Sequence, residues 1–253
     1  MDMQVFHCDS AQAEIHWLAA NTRARDPNPR VLICHYREPA VIFGLSQPPD
    51  RALQQRLETA GVSWVRRRSG GGIVYAGPWM LGVSLILPAN HPLGAMEPVP
   101  AYGWFGGLWQ DMLAQLGVDS SLPDRETILA SRREAESRDI DWACYAAMGH
   151  GELGSSERAT RKILGIAQIR TRAASTLVAG LHLDRADWRA LCALLGKPQE
   201  QGEHLARINA SLMELVPARG STATASLAAG VEETFLPLVR QALDCENPGH
   251  ACR

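Results

Sequence analysis

Three short stretches carry residue types that could do chemistry. The first, Arg66-Arg67-Arg68-Ser69-Gly70-Gly71-Gly72-Ile73-Val74-Tyr75, sets three glycines behind three arginines. Without Cβ atoms such a loop lets main-chain N–H groups approach a ligand closely, and the arginines add positive charge. The stretch suits a phosphate or an acyl carbonyl. It neither opens a helix as Gly-x-Gly-x-x-Gly does nor ends in Gly-Lys-Ser/Thr, so nucleotide binding by those routes is not indicated. The second stretch is Arg161-Lys162-Ile163-Leu164-Gly165-Ile166-Ala167-Gln168, in which a lysine opens an otherwise apolar run. Lysine is scarce here: Lys162 and Lys197 stand against 23 arginines. An ammonium is compact and gives up a proton where a guanidinium does not, which draws attention to Lys162. The third is Asp141-Trp142-Ala143-Cys144-Tyr145, followed by the glycine-bearing loop Gly149 to Gly151. A thiol near an ammonium has its thiolate stabilised and becomes an acyl acceptor. Taken singly, each stretch also fits a plain structural role: a glycine-rich hairpin, a strand-end lysine in solvent, an inert buried thiol.

The elements that must position these residues are strands. A strand is expected around Met3 to His7, then a helix capped by Asp9 or Ser10 and running to about Arg25, broken by Asp26-Pro27-Asn28-Pro29. Val31 to Arg37 and Ala40 to Gly44 read as adjacent strands joined by a tight turn at Glu38-Pro39. Asp50 to Ala60 has helical spacing and stops at Gly61. Strands over Val62 to Arg68, Ile73 to Tyr75 and Met80 to Leu87 flank the glycines. A helix follows over Pro100 to Leu116. Asp119 to Asp139 is polar and ambiguous, and strands are expected over Trp142 to Tyr145, Lys162 to Arg170 and Thr176 to Leu183. The chain is mostly helical from Asp184, ending in Val231 to Leu243. Irregular alternation of strands and helices argues for an α+β class, with mixed, mostly antiparallel β-sheets and packed helices.

Composition narrows the function. The 253 residues, 46% hydrophobic and 21% charged with net charge −2, describe an ordinary globular protein and argue against a general nucleic-acid or membrane binder. The apolar runs fall short of the ~20 residues that span a bilayer, and no leader pattern opens the chain, so a cytoplasmic location is expected. The six widely spaced cysteines show no zinc or dithiol spacing; they read as reduced thiols, and no metal site is expected.

Together the motifs resemble those of the lipoate ligase and octanoyltransferase superfamily, which includes the catalytic domain of biotin protein ligases. Gly44-Leu45-Ser46-Gln47-Pro48-Pro49 is similar to that family's G-R-x-Q-N-P. The arginine-glycine stretch is similar to R-R-x-S-G-G-G-x-V-[YF], with Arg66 and Arg67 as the paired arginines, and the lysine stretch to G-x-K-[IVL]-x-G-x-A-[QY]. Order and spacing agree over roughly residues 30 to 185. The resemblance implies a biotin/lipoate ligase-like catalytic domain over residues 1–253, with a helical C-terminal part at about 185–245. It implies a tunnel for a lipoyl or octanoyl chain, lined by Gln47, Arg67, Arg68, Ser69, Gly70, Gly71, Gly72, Tyr75, Gly165, Ala167 and Gln168, with Lys162 contacting the acyl carbonyl.

One transferase branch of the family carries a cysteine in the context [AS]-C-[FY]…E-[LVI], which Ala143-Cys144-Tyr145 and Glu152-Leu153 resemble, with Cys144 eighteen residues before Lys162. That implies attachment of an octanoyl or lipoyl group to a lysine of a lipoyl carrier domain through a Cys144 thioester, without a cofactor, with Lys162 stabilising the thiolate. An octanoyl carrier protein is the implied donor. The implied acceptors are lipoyl domains of 2-oxoacid dehydrogenase E2 subunits or the glycine cleavage H protein. Two alternatives stand beside it: an ATP- and Mg-dependent lipoate-protein ligase in which Cys144 is a bystander, and a non-catalytic relative that binds an acyl chain or a carrier. Pro48 replaces a frequent Asn, Ala76 a frequent His or Asp, and Leu81-Gly82-Val83-Ser84 lacks an Asn common in ligases; these departures bear on the acyl donor and on ATP use.

Overall fold

A computed structural model describes residues 2–156, 161–216 and 223–245. Strand β1 (Gln4–Cys8) leads into helix α1 (Ala11–Asn21), whose first turn is capped by the Ser10 hydroxyl accepting from the Ala13 amide. The helix ends at Asn21, short of the expected Arg25. The chain then forms β2 (Arg30–His35), β3 (Ala40–Phe43), α2 (Arg51–Thr59) and β4 (Ser63–Arg66). Asp50 caps α2 through a hydrogen bond from the Leu53 amide, where the spacing sets it. Beyond the glycine loop come β5 (Val74–Ala76), β6 (Met80–Pro88), α3 (Pro92–Ala95), α4 (Pro98–Gln115), β7 (Ser120–Ser121) and α5 (Arg125–Ser137). The catalytic-motif half closes with β8 (Leu153–Ser155), β9 (Lys162–Arg170) and β10 (Ala174–His182). Four helices follow: α6 (Trp188–Leu195), α7 (Gln199–Ile208), α8 (Leu212–Leu215) and α9 (Thr224–Cys245).

Two sheets result. The larger has seven strands in the order β1-β2-β6-β10-β9-β8-β7, parallel only between β1 and β2; the smaller has the order β4-β3-β5, with β3 parallel to β4 and antiparallel to β5. This is the mixed, mostly antiparallel α+β class that the strand pattern implies. Strand β6 is buried along its whole length, which explains why it reads as one apolar run rather than an alternation. One core lies between the large sheet and helices α4 and α9, where Trp109 stacks on Phe235 at 4.2 Å. The other lies on the opposite face, under β3, β5 and α6. The chemistry-bearing residues fall on that second side.

Four expectations are corrected. β2 and β3 do not form a hairpin: they belong to different sheets, because β2 finds its partners in β1 and β6 while β3 pairs with β4 and β5. Trp142 to Tyr145 is not a strand but a succession of turns with a single bridge, Ile73 to Ala143. The ambiguous polar stretch contains α5, whose apolar face is little more than Ile128 and Ala135. Finally, Cys8, Cys34, Cys144 and Cys192 are free thiols but Cys245 is disulfide-bonded, and spacing alone carries no signal for that bond. Among the described residues no helix is long and apolar enough to cross a membrane.

Candidate active site

Cys144 sits in a turn whose main chain is tied in from several directions. Its amide donates to the Ile73 carbonyl at 2.9 Å, and the Ile73 amide donates to the Trp142 carbonyl at 2.7 Å. The glycine loop leans directly on this turn. A Cβ on Gly72 would lie 2.5 Å from the Trp142 carbonyl oxygen and 2.7 Å from the Cys144 nitrogen, so only glycine permits the approach. Gly71 takes a φ of +90°, a conformation that favours glycine, and a side chain there would strike Arg67.

Two cations flank Cys144, and they do different things. Arg67 extends its Nη2 to the carbonyls of Gly70 and Gly72, at 2.9 and 3.0 Å, and to the Cys144 sulfur at 3.6 Å. Lys162, 3% exposed, does not face the sulfur. Its ammonium donates to the Cys144 carbonyl at 2.9 Å, to the Ala147 carbonyl at 2.8 Å and to Glu152 Oε2 at 2.6 Å, which uses all three of its protons. Glu152, buried as well, accepts in addition from the amides of Gly149 and Ile166. The pair satisfies the condition under which two charges tolerate burial: close geometry and further hydrogen bonds to both partners.

Cys144 lies where two cavities meet. An outer one of about 500 Å³ is open and mixed in polarity, walled by the glycine loop, Tyr102, the turn after α5 and Lys162. An inner one is narrower and mostly apolar, roofed by Ile15, Leu18, Ile42 and Val74 and floored by Gly165, Ala167, Val178 and Gly180. Ser69, Cys144, Ile166 and Ala167 line both. The floor is low because Gly82, Gly180 and Gly165 stand in register across β6, β10 and β9. Tyr36 lies over the first of them and Tyr145 over the other two, its hydroxyl donating to the Gly180 carbonyl. One buried polar pair is on the inner wall: Tyr36 donates to Glu14 at 2.7 Å, and burial raises the Glu14 carboxyl pKa above 4.5, against the lowering by Tyr36 and the Arg67 charge.

Of the residues singled out in the sequence, Cys144, Lys162, Ser69, Gly70, Gly71, Gly72, Ala167 and Gln168 share the outer cavity, and Arg67 and Gly165 line the inner one. Three lie elsewhere. Arg68 is exposed, Gln47 is half-buried off both cavities, and Tyr75 is core, packed on Trp79 at 4.7 Å. Glu152 as the lysine's partner and Tyr102 as a cavity wall were not singled out. Glu152 had a signal, since it follows the cysteine in the motif, but nothing in the chain marks Tyr102. Among the described residues no group of His, Cys, Asp and Glu could hold a metal ion. The arrangement offers a thiol, a guanidinium beside it, an apolar slot that could take a hydrocarbon chain and an open chamber of mixed polarity that the same cysteine lines.

Comparison with known proteins gives a family and a fold. The model of the lipoyl protein ligase A/B catalytic domain matches residues 11–219. No curated protein sequence matches the chain significantly. Among solved structures, lipoate-protein ligase A bound with ATP is similar with a TM-score of 0.63 and 17% identity, covering 96% of this chain and 95% of that one. A bipartite lipoate protein ligase of Thermoplasma acidophilum, described with its E2 lipoyl domain, has a TM-score of 0.64 and 15% identity, covering 96% and 92%. The T. acidophilum protein Ta0514 with bound lipoic acid has a TM-score of 0.65 and 15% identity, covering 95% and 86%.

Proposed function

The chain belongs to the lipoyl protein ligase A/B catalytic domain family, and we propose that it transfers an octanoyl or lipoyl group to a lysine of a lipoyl carrier domain through a thioester on Cys144. The observation that carries this reading is the position of Cys144, which lines both an apolar cavity and an open one of mixed polarity, with the Arg67 guanidinium 3.6 Å from its sulfur. In the first step the thiolate attacks the carbonyl of an acyl thioester. The sulfur–carbon bond forms, the donor's thiolate leaves, and it takes up the proton that Cys144 gave up. In the second step the neutral ε-amine of the acceptor lysine attacks the acyl-enzyme, the amide forms, and the Cys144 thiolate departs while the amine's proton is lost. Arg67 balances charge on the sulfur in both steps, and Lys162 with Glu152 holds the turn that aims it. The inner cavity takes the hydrocarbon chain, whose removal from water contributes binding, at roughly 0.8 kcal/mol per buried CH₂. A lipoyl domain is the proposed acceptor, the partner with which the similar T. acidophilum ligase is described. No metal or nucleotide takes part in this route, and a single domain over 1–253 in the cytoplasm is part of the same proposal.

A second reading has its own support: a protein of the same fold is described with ATP bound. In an ATP- and Mg-dependent ligase, Lys162 would hold an activated acyl group, yet its three protons are already given to Cys144, Ala147 and Glu152. Transfer to a lipoyl domain separates the two. The thioester route runs from octanoyl carrier protein without ATP and stops in Cys144→Ala; the ligase route runs from lipoate with ATP, releases pyrophosphate and survives Cys144→Ala.

A further inference from the structure

The end of α7 reaches the back of the cysteine turn. Asn209, which follows the last residue of α7, is 5% exposed, and its side-chain NH₂ donates to two carbonyls: Leu205 at 2.8 Å, one helical turn back, and Tyr145 at 3.2 Å. Its main chain forms a parallel bridge with Lys162, and the next amide, Ala210, donates to the Lys162 carbonyl at 2.9 Å. A residue 64 positions beyond Tyr145 thus touches the cysteine turn through its side chain and the lysine strand through its backbone.

The amide is used one-sidedly. Both donor bonds of Asn209 are made, while its buried Oδ1 has no hydrogen-bond partner among the described residues. Leaving a buried acceptor unpaired opposes folding, so capping α7 is a poor account of this residue; a side chain whose oxygen did not have to be buried would serve a helix end as well. What the position requires is the NH₂ group between two carbonyls, one of them adjoining Cys144. The turn is then gripped on three sides: Ile73 takes the Cys144 amide, Lys162 the Cys144 carbonyl and Asn209 the Tyr145 carbonyl. Behind it the Tyr145 ring is stacked on His182 at 4.2 Å, which keeps the phenol side from rotating away.

On the footing of the Cys144 thioester chemistry above, we propose that Asn209 is a positioning residue for acyl transfer, fixing the Cys144–Tyr145 turn and the Lys162 strand in one geometry, so that the C-terminal helices set the aim of the thiol. A misplacement of about 1 Å in a reacting group can slow a reaction by as much as 100-fold.

The test compares wild type with Asn209→Leu, which keeps the volume and removes both donors, and Asn209→Ser, which keeps one. Three quantities are read: kcat and KM for transfer from octanoyl carrier protein, the folded fraction by circular dichroism, and the pH midpoint of Cys144 alkylation by iodoacetamide. Asn209→Leu is expected to lower kcat about 10-fold or more, with KM within about twofold, the folded fraction unchanged and the alkylation midpoint where wild type has it, since Arg67 is untouched. Asn209→Ser is expected to recover part of the rate. Wild-type kcat in Asn209→Leu, or a loss that follows the folded fraction, overturns the role of Asn209 alone, provided that wild type forms its Cys144 adduct. Absence of that adduct in wild type overturns the thioester reading, and the positioning role with it.

Discussion

The turn carrying Cys144 and the strand end carrying Lys162 touch, yet their reactive ends live in opposite conditions. Among the described residues the sulfur's one hydrogen-bonding contact is a long one, with Arg67, and Cys144 lines both cavities. The ammonium is shut away with all three protons donated, two to main-chain carbonyls and one to a buried carboxylate. The cation beside the Cys144 sulfur is the arginine of the glycine loop, whereas the lysine is tied to the turn through backbone oxygens and a charge partner of its own. Scarcity of lysine draws attention to Lys162, and its ammonium meets the cysteine's carbonyl oxygen.

The comparison can be broken at either end. The largest effect is expected at the sulfur: Cys144→Ala should lower transfer from octanoyl carrier protein by about 10³-fold or more without changing the melting temperature appreciably, as assayed by lipoyl-domain modification. At the other end, Lys162→Met should act first on stability. It strands the Glu152 carboxylate in a buried site, at an expected cost of about 3–5 kcal/mol in urea unfolding, and the double variant Lys162→Met/Glu152→Gln should regain part of that. Lys162→Arg should lose stability as well as turnover, because the longer planar group must enter a site 3% exposed. If Lys162→Met keeps full stability and loses only rate, the division of labour fails.

Arg67→Met should come next, slowing acylation about 100-fold, with Arg67→Lys still impaired because the shorter lysine side chain does not carry its nitrogen to the point where Arg67 Nη2 meets Gly70, Gly72 and the sulfur. Single-turnover acylation rates would show this. The smallest effect concerns pH. Burial, then the Lys162 charge, lowers the His182 pKa to about 3 from 6.5. Between those values the unfolded chain binds a proton that the folded chain refuses, so this contribution to stability is full above about pH 6.5 and is lost as pH falls toward 3. Glu214, held down to about 2 by Arg185, Arg161 and Ser211 in spite of its partial burial, adds a loss of the same sign below about pH 4.5. Melting curves of His182→Phe should therefore fall less steeply than wild type from pH 6.5 down to about 3, the Glu214 loss below about pH 4.5 being common to both.

Much of this was legible because local rules suffice. Ser10 and Asp50 cap their helices, Gly61 follows the end of α2, and the nine-residue strand β6 announces itself by its apolar run, with β9 and β10 rich in apolar and β-branched residues. The three motifs do meet in space. What could not be read depends on partners far away along the chain. The assignment of β2 and β3 to different sheets follows from β6 and β5, not from the turn between them. The Cys144 stretch has a strand's composition, but the Cys144 amide goes to Ile73, the Ala143 amide to Ile140, and the Cys144 and Tyr145 carbonyls accept from Lys162 and Asn209, and no periodicity reveals that. The resemblance implies both Arg67 and Arg68 at the site; the left-handed Gly71 and the close approach of Gly72 turn the loop so that Arg67 reaches the sulfur while Arg68 is exposed.

The central claim is that Cys144 carries the acyl group. Intact-mass spectrometry of the wild-type protein after mixing with octanoyl carrier protein, without ATP, tests it most directly. The account predicts one octanoyl adduct, released by hydroxylamine, mapped to Cys144 and lost when a lipoyl domain is added. No adduct on wild type, or an adduct that persists on another residue in Cys144→Ser, would contradict it.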